Sequence, residues 1–244
     1  MKTAAIIEAR MTSSRLPGKV LLPVLGRPLL DHLIERLKRA RTLDQIIVAT
    51  TTNATDDPIE ALALDLGCGC FRGSEEDVLE RVLCAAQRFG VDVVVEITGD
   101  CPLMDPAIID VLVETFRLNR YDYVSNVLTR TYPRGMDTQV FPTAVLDEVA
   151  RLTSDPVDHE HVSFYIYNHP ERFSLHNVES GLPPRYYDLR LTVDTEEDFQ
   201  LIRTIFEELY PEIADFSLGD ILNLFDRRPE LAEINRHVQQ KKVR

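Results

Sequence analysis

The sequence is poor in several things that would each have announced a function. Positive charge is in deficit: 27 Lys and Arg face 40 Asp and Glu, a formal net charge of −13 over 244 residues. A dedicated nucleic-acid binder needs the opposite surplus to neutralise phosphates, so no nucleic-acid partner is expected. Long hydrophobic runs are missing. No segment approaches the ~18 apolar residues of a membrane-crossing helix, and the opening apolar run 4–7 is cut off by Glu8 and Arg10, too early for a signal peptide. The expectation is a cytoplasmic protein without membrane association. Cysteines number four: Cys68 and Cys70 make a C-x-C without the C-x-x-C spacing of zinc or redox sites, and with Cys84 and Cys101 they read as small apolar fillers. Glycine-rich phosphate loops are missing too, since neither G-x-x-x-x-G-K-[ST] nor G-x-G-x-x-G occurs.

What is there is an ordinary globular composition, 44% hydrophobic and 27% charged, in a length that suits one α/β domain with a full core. The charge is uneven. Residues 1–41 hold nine basic and three acidic side chains, a local +6 that leaves −19 for the rest. A cationic start on an acidic chain suggests a local anion site. Arg36, Lys38, Arg39 and Arg41 fall in a helical stretch and read as its solvated face.

Strand and helix patterns alternate through the first half. The apolar run 4–7 predicts a buried strand. Leu29, Leu30, Leu33, Ile34 and Leu37 recur at helical spacing, predicting an amphipathic helix over 28–40. The β-branched run 45–51 predicts a second strand. Asp57-Pro58 opens a helix that Gly67 ends, and 69–72 is a short strand. Ser74, with Asp77 three residues on, is expected to cap a helix through residue 89. A strand over 92–97, a helix over 106–119 capped by Asp105, and a strand over 121–127 follow. This order predicts an α/β fold, a three-layer mostly parallel sheet with right-handed crossovers. After residue 130 the alternation fails. A loop and short strand over 131–141 lead to a helix over 143–152 and an ambiguous stretch over 158–168. Short strands at 173–178 and 190–193, a helix over 196–209 and one or two helices over 218–240 complete the chain. No repeat or linker divides residues 1–244, so a single domain is expected.

In an open parallel sheet, ligands bind beyond the carboxyl ends of the strands. The loop 8–19 lies at such an end and offers Arg10, Arg15, Lys19, serine hydroxyls and backbone N–H groups, the donors a polyphosphate needs. A plain basic surface loop is the alternative. The loop 97–102, Ile-Thr-Gly-Asp-Cys-Pro, carries Asp100. Because Asp105 is the better helix cap, Asp100 is left to bind a hard cation through oxygen. Asp194 ends the strand at 190–193 and is either a metal ligand or a cap for the helix opened by Glu196, Glu197 and Asp198.

The segment 7–19, Ile-Glu-Ala-Arg-Met-Thr-Ser-Ser-Arg-Leu-Pro-Gly-Lys, followed by Val-Leu-Leu and then Gly26-Arg-Pro-Leu, resembles the signature of the cytidylyltransferases that activate sugar acids. The pattern is similar to those of the KDO cytidylyltransferases (CMP-KDO synthetases) and of the spore-coat polysaccharide biosynthesis protein F group. Segments 72–81, 98–103 and 193–198 fit in the same order, so the resemblance spans most of the chain. It implies a GT-A-like nucleotidyltransferase fold that uses CTP and Mg²⁺ to make an activated precursor of a surface polysaccharide or glycoconjugate. By motif, Ala9, Arg10, Ser14, Arg15, Lys19 and Asp100 would hold the nucleotide, with Arg10, Arg15 and Lys19 as the catalytic cations. Arg72 and Ser74 lie where the family reads the base, and Asp100 and Asp194 would hold Mg²⁺. Arg130, Arg134, Gln139 and His161 fall where the family holds an anionic sugar-acid or phosphorylated acceptor.

The resemblance also divides the domain into a nucleotide-binding half (1–130), an acceptor and dimerisation part (131–195) and C-terminal helices (196–244). It implies a homodimer, to which the aromatic residues Phe164, Tyr165, Tyr167, Phe173, Tyr186 and Tyr187 would contribute. Gly-Asp-Cys-Pro stands here where KDO-type enzymes have Gly-Asp-Glu-Pro, which puts KDO itself in question as acceptor. In such a reaction an acceptor oxygen attacks the α-phosphorus in line and pyrophosphate leaves, with no protein nucleophile required. Two other readings stay open. One is a glycosyltransferase using a preformed nucleotide sugar. The other is a nucleotidyltransferase using another triphosphate or a phosphorylated acceptor. Asp158-His-Glu-His161 is not H-E-x-x-H, and histidines two apart cannot share a helix face, so zinc is not expected. Lys241, Lys242 and Arg244 read as a solvated tail.

Overall fold

The computed structural model describes residues 1–241. β1 (Thr3–Glu8) leads through a long loop and a small ribbon of β2 (Pro23–Val24) and β3 (Arg27–Pro28) into α1 (Leu29–Leu37). The chain continues through β4 (Gln45–Thr51), α2 (Asp57–Asp65), β5 (Gly69–Gly73), α3 (Val78–Phe89), β6 (Val93–Thr98), α4 (Pro106–Leu118) and β7 (Tyr123–Ser125). The second half adds β8 (Gln139–Pro142), α5 (Thr143–Leu152), α6 (Pro156–Glu160), α7 (Phe164–Asn168), β9 (Leu175–Asn177), α8 (Glu196–Leu209) and α9 (Leu218–Arg227).

The seven-stranded sheet has the order β5-β4-β1-β6-β8-β7-β9. β8 is antiparallel to β6 and β7, and the other pairs are parallel. Both faces are covered. Period-two alternation along β1 sends Ala5 and Ile7 to a core with Leu33, Ile109 and Phe206, and Ala4 and Ile6 to a second core with Leu79 and Leu146. The result is the mostly parallel three-layer α/β architecture that the strand and helix alternation predicts. From β1 the chain runs to one side, through β4 and β5, and then crosses to β6 on the other. The crevice beyond the carboxyl ends of β1 and β6 is therefore the topological switch point, where open α/β sheets bind ligands.

Several local expectations are corrected. The helix after β5 starts at Val78, not Ser74. Asp77 caps it by accepting the Glu80 N–H (2.8 Å), while Ser74 Oγ accepts the Asp77 N–H (3.0 Å) and closes the preceding turn. The stretch 158–168 contributes to two short helices, α6 and α7. No strand forms over 190–193. Arg190 makes a single bridge to Arg134, and its carbonyl is taken by the Asn235 amide (3.0 Å). Arg36 is not on a solvated face: it is 3% exposed, donates to the Met104 and Phe216 carbonyls (2.9 Å each), and lies 4.4 Å from the Phe216 ring centre. Burial pushes its pKa down to about 10. Lys38 and Arg41 are exposed as expected. Of the aromatic residues expected at a dimer contact, Phe173 and Tyr186 are buried within the chain's own core. No helix among the described residues is long and apolar enough to cross a membrane.

Candidate active site

The long loop after β1 is shaped from beneath by buried Asp56. Its carboxylate accepts from the Thr50 and Thr51 hydroxyls (2.9 and 2.6 Å) and from the Met11 N–H (2.9 Å). Burial alone would raise this carboxyl, but the donors outweigh it and hold the pKa below the usual range. At the end of β6, the Gly99 N–H donates to Glu8 O (2.8 Å). A Cβ at position 99 would lie 2.9 Å from that oxygen, so glycine lets the β6 loop pass this close to β1. The loop turns Asp100 into the crevice, where Thr98 Oγ1 donates to Asp100 Oδ1 (2.7 Å).

The segment before α8 is laid alongside. The Val193 N–H and the Thr192 hydroxyl both donate to Asp100 O (2.9 and 3.1 Å). Gly135, at φ +94°, admits the segment on its other flank, since a Cβ there would stand 2.3 Å from Leu191 O.

Three distant segments thus meet at Lys19. Its Nζ lies 2.6 Å from Asp100 Oδ2 and 2.9 Å from Asp194 Oδ1. Asp194 Oδ2 also pairs with Arg15 (2.8 Å) and Arg190 (2.6 Å). Arg190 in turn grips buried Asp198 (2.8 Å), which also accepts from Asn235 Nδ2 (2.8 Å). Asp198 and Thr195 form the capping box of α8. Asp194 is therefore not the cap, and its carboxylate faces the crevice. Burial disfavours charge on Lys19, but Asp100 and Asp194 outweigh it and raise the ammonium pKa. Burial likewise works against Asp194, and Lys19, Arg15 and Arg190 prevail and lower it.

A cavity of about 610 Å³ opens here. One wall carries Ala9, Arg10, Ser14, Arg15 and Lys19, and Asp100 and Asp194 stand at its centre. Arg130, Arg134, Gln139 and His161 line the same cavity. Eleven of the thirteen expected site residues therefore share one cavity, although they come from segments as far apart as residues 9 and 194. Their states differ. Arg10 reaches Glu75 only at 3.5 Å, and Arg130 holds Asp137 at two points (2.8 and 3.1 Å). Arg134 is half-buried and makes no ion pair among the described residues. Gln139 accepts from the Tyr123 and Ser163 hydroxyls. Burial keeps the His161 imidazole below its ordinary pKa, and hence neutral at pH 7.

The remaining two are not brought to the cavity. Arg72 donates to the Thr51 and Asn53 carbonyls (2.8 and 2.6 Å) and pairs with Asp57 and Glu60 (2.6 and 2.9 Å). Ser74 serves its turn. The tail is not wholly solvated. Gln240 and Lys241 line the cavity mouth, Arg190 reaches Gln240 Oε1 (2.5 Å), and Lys241 stands 3.8 Å from Glu160. Lys242 and Arg244 lie outside the described residues. His159 is held by Asp77 (2.7 Å), away from His161's role at the wall.

Sequence reasoning missed Glu8, Arg81 and Glu96 on the cavity floor and Arg190 behind Asp194. A charge in the middle of the apolar run Asp-Val-Val-Val-Glu-Ile was the available signal for Glu96. Arg190 has none beyond its spacing of four from Asp194.

Among the described residues no group of three His, Cys, Asp or Glu side chains is placed to hold a metal. Asp100 and Asp194 nevertheless converge on one ammonium. Two such carboxylates beside a wall of phosphate-type donors suit a hard divalent cation, which keeps water and substrate phosphates as its other ligands.

Comparison with known proteins identifies the family. The cytidylyltransferase family profile matches residues 4–242. The spore coat polysaccharide biosynthesis protein SpsF of Bacillus subtilis is 34% identical over 234 residues, 93% of this chain and 95% of that protein. A 3-deoxy-manno-octulosonate cytidylyltransferase of Syntrophobacter fumaroxidans is 33% identical over 205 residues, 75% of this chain and 79% of that one. The solved structure of a cytidylyltransferase from Leptospira borgpetersenii superposes with a TM-score of 0.90, at 32% identity and 99% coverage of both chains. A nucleotidyltransferase sheet, the charged crevice at its switch point and a match over nearly the whole length lead to one conclusion: this chain belongs to the cytidylyltransferase family.

Proposed function

We propose that this enzyme transfers CMP from CTP to a sugar acid, releasing pyrophosphate, in the synthesis of a surface polysaccharide or glycoconjugate. The observation that carries the reading is the convergence of Asp100 and Asp194 on Lys19 at the β1–β6 crevice of a chain in this family. The names of the relatives support the acceptor class and the pathway class.

Arg10, Arg15 and Lys19, with the Ala9 backbone and Ser14, hold the triphosphate. Asp100 and Asp194 would hold Mg²⁺, which would supply positive charge to offset that of the phosphates. Lys19 and Arg15 sit against the same carboxylates, so they place positive charge where the leaving group develops its negative charge. Arg130 and Arg134 face the acceptor's anionic group, and Gln139 and neutral His161 offer hydrogen bonds to its hydroxyls. The acceptor oxygen attacks the α-phosphorus in line. Positioning and electrostatics supply the catalysis, and no protein nucleophile takes part. Arg72 braces the rim near Thr51 and Asn53 and Ser74 closes the turn before α3, and neither is assigned a contact with the base. The enzyme works as a cytoplasmic homodimer, as the family resemblance implies.

The test is pyrophosphate release with each of the four nucleoside triphosphates, Mg²⁺ and a panel of sugar acids. Release that requires both CTP and Mg²⁺ is expected. Release from a different nucleotide, or from none, overturns the reading.

A further inference from the structure

The cavity floor carries charge that this chemistry does not use. Glu8 ends β1 and Glu96 lies on β6. Their parallel register sets Ile6 opposite Glu96 and Glu8 opposite Thr98, so both carboxylates leave the same face of the sheet on neighbouring strands. Both line the cavity. Glu96 is 5% exposed and its Oε2 has no hydrogen-bond partner; Glu8 Oε1 is buried and equally unpartnered. Arg81, on α3, faces them from the floor. Its NH1 reaches the Ser74 and Glu75 carbonyls, its Nε has no partner, and neither glutamate is within ion-pair distance among the described residues. With both carboxylates ionised, one guanidinium would leave the floor one positive charge short, and burial resists that state. Elsewhere in the cavity the imbalance has the other sign, because Arg134 has no ion-pair partner among the described residues.

We propose that the acceptor is zwitterionic: a sugar acid that also bears a primary amine, its carboxylate meeting Arg134 and its ammonium seated between Glu8 and Glu96. This rests on the reading of the cavity as the acceptor site of a cytidylyltransferase. An ammonium brings three donors for the unpartnered oxygens and the missing charge together. A hydroxyl brings a donor but no charge, so it does nothing to favour ionisation of the buried pair. Without that charge, burial, opposed by Arg81, pushes Glu8 up to about 7, and burial followed by repulsion from Glu8 holds Glu96 well above the carboxylate range. A seated cation reverses that pressure.

The test supplies CTP, Mg²⁺ and sugar acids in matched pairs that differ by one amine for one hydroxyl. One such pair is 3-deoxy-manno-octulosonate and its 8-amino-8-deoxy counterpart. The amine member of at least one pair is expected to exceed its partner in kcat/KM by tenfold or more. Glu96→Gln is expected to remove that preference through KM, leaving the calorimetric affinity for CTP unchanged, and Glu96→Asp to restore part of it. Hydroxyl acceptors used as well as amines, a preference that survives Glu96→Gln, or no amine acceptor turned over while CTP binds normally would each overturn the inference. Failure to bind CTP at all overturns the cytidylyltransferase reading itself.

Discussion

The wall built from the loop after β1 and the surfaces built from Glu8, Glu96 and Arg134 enclose the same cavity, yet hold their charges differently. In the first, Lys19 touches two carboxylates and Arg15 touches one of the same pair. On the proposed function, phosphates arriving there would exchange one set of anionic partners for another. In the second, Arg134 makes no ion pair among the described residues, and both glutamates keep an unpartnered buried oxygen. The first arrangement is complete in itself and suits a substrate part common to a whole family. The second is completed by its ligand, and unpaired buried groups are what reject a ligand lacking the matching partner.

The largest expected effect comes from the paired centre. Asp100→Ala or Lys19→Ala should lower kcat for pyrophosphate release by at least about 100-fold, the scale of losing one preorganised charge, with circular dichroism unchanged. A loss confined to the acceptor's KM would break the comparison. Next is the support behind Asp194. Arg190→Met leaves buried Asp198 without a cation among the described residues, while Asp194 keeps Lys19 and Arg15, and breaking such a buried pair costs about 3–5 kcal/mol. Thermal denaturation should show a large fall in Tm.

Arg134→Ala should raise the acceptor KM by roughly tenfold, about the value of a charge-assisted hydrogen bond, and leave the KM for CTP alone. Equal rises in both would merge the two surfaces into one. The pH dependence of Glu8 has a definite sign. Its folded pKa, about 7, stands above the ordinary carboxylate value of 4.5, so its contribution to stability is present below pH 4.5 and is lost as pH rises through 7. Glu8→Gln should therefore gain in Tm relative to the parent across that window, as thermal melts at successive pH values would show. The smallest effect is expected from Arg72→Ala, within ~1 kcal/mol for a surface ion pair and with unchanged CTP affinity. A tenfold loss of CTP affinity would return Arg72 to the base site.

What the sequence makes legible follows from the range of the interactions. Apolar and β-branched runs located β1 and β4, which are buried on both faces, and helical spacing located α8, because such burial acts within a single element. The first loop and Asp100 were readable because motif residues cluster within a dozen positions. Arg36 was misread because its acceptors, Met104 and Phe216, come from distant segments. The strand expected at 190–193 is absent because its backbone bonds go to scattered loop partners: the Leu191 N–H to Arg134 O, the Val193 N–H to Asp100 O, and Arg190 O to the Asn235 amide. In the sequence Glu8 reads as the start of the loop after β1 and Glu96 as part of the strand over 92–97. Only the pairing of β1 with β6 places them side by side beneath a cavity.

The most direct test follows the phosphorus of CTP by NMR after mixing the enzyme with Mg²⁺ and a turned-over sugar acid. The account predicts that the β- and γ-phosphorus signals become pyrophosphate while the α-phosphorus appears in a CMP ester, and that Asp100→Asn abolishes both changes together. Inorganic phosphate in place of pyrophosphate, or full conversion by Asp100→Asn, would contradict it.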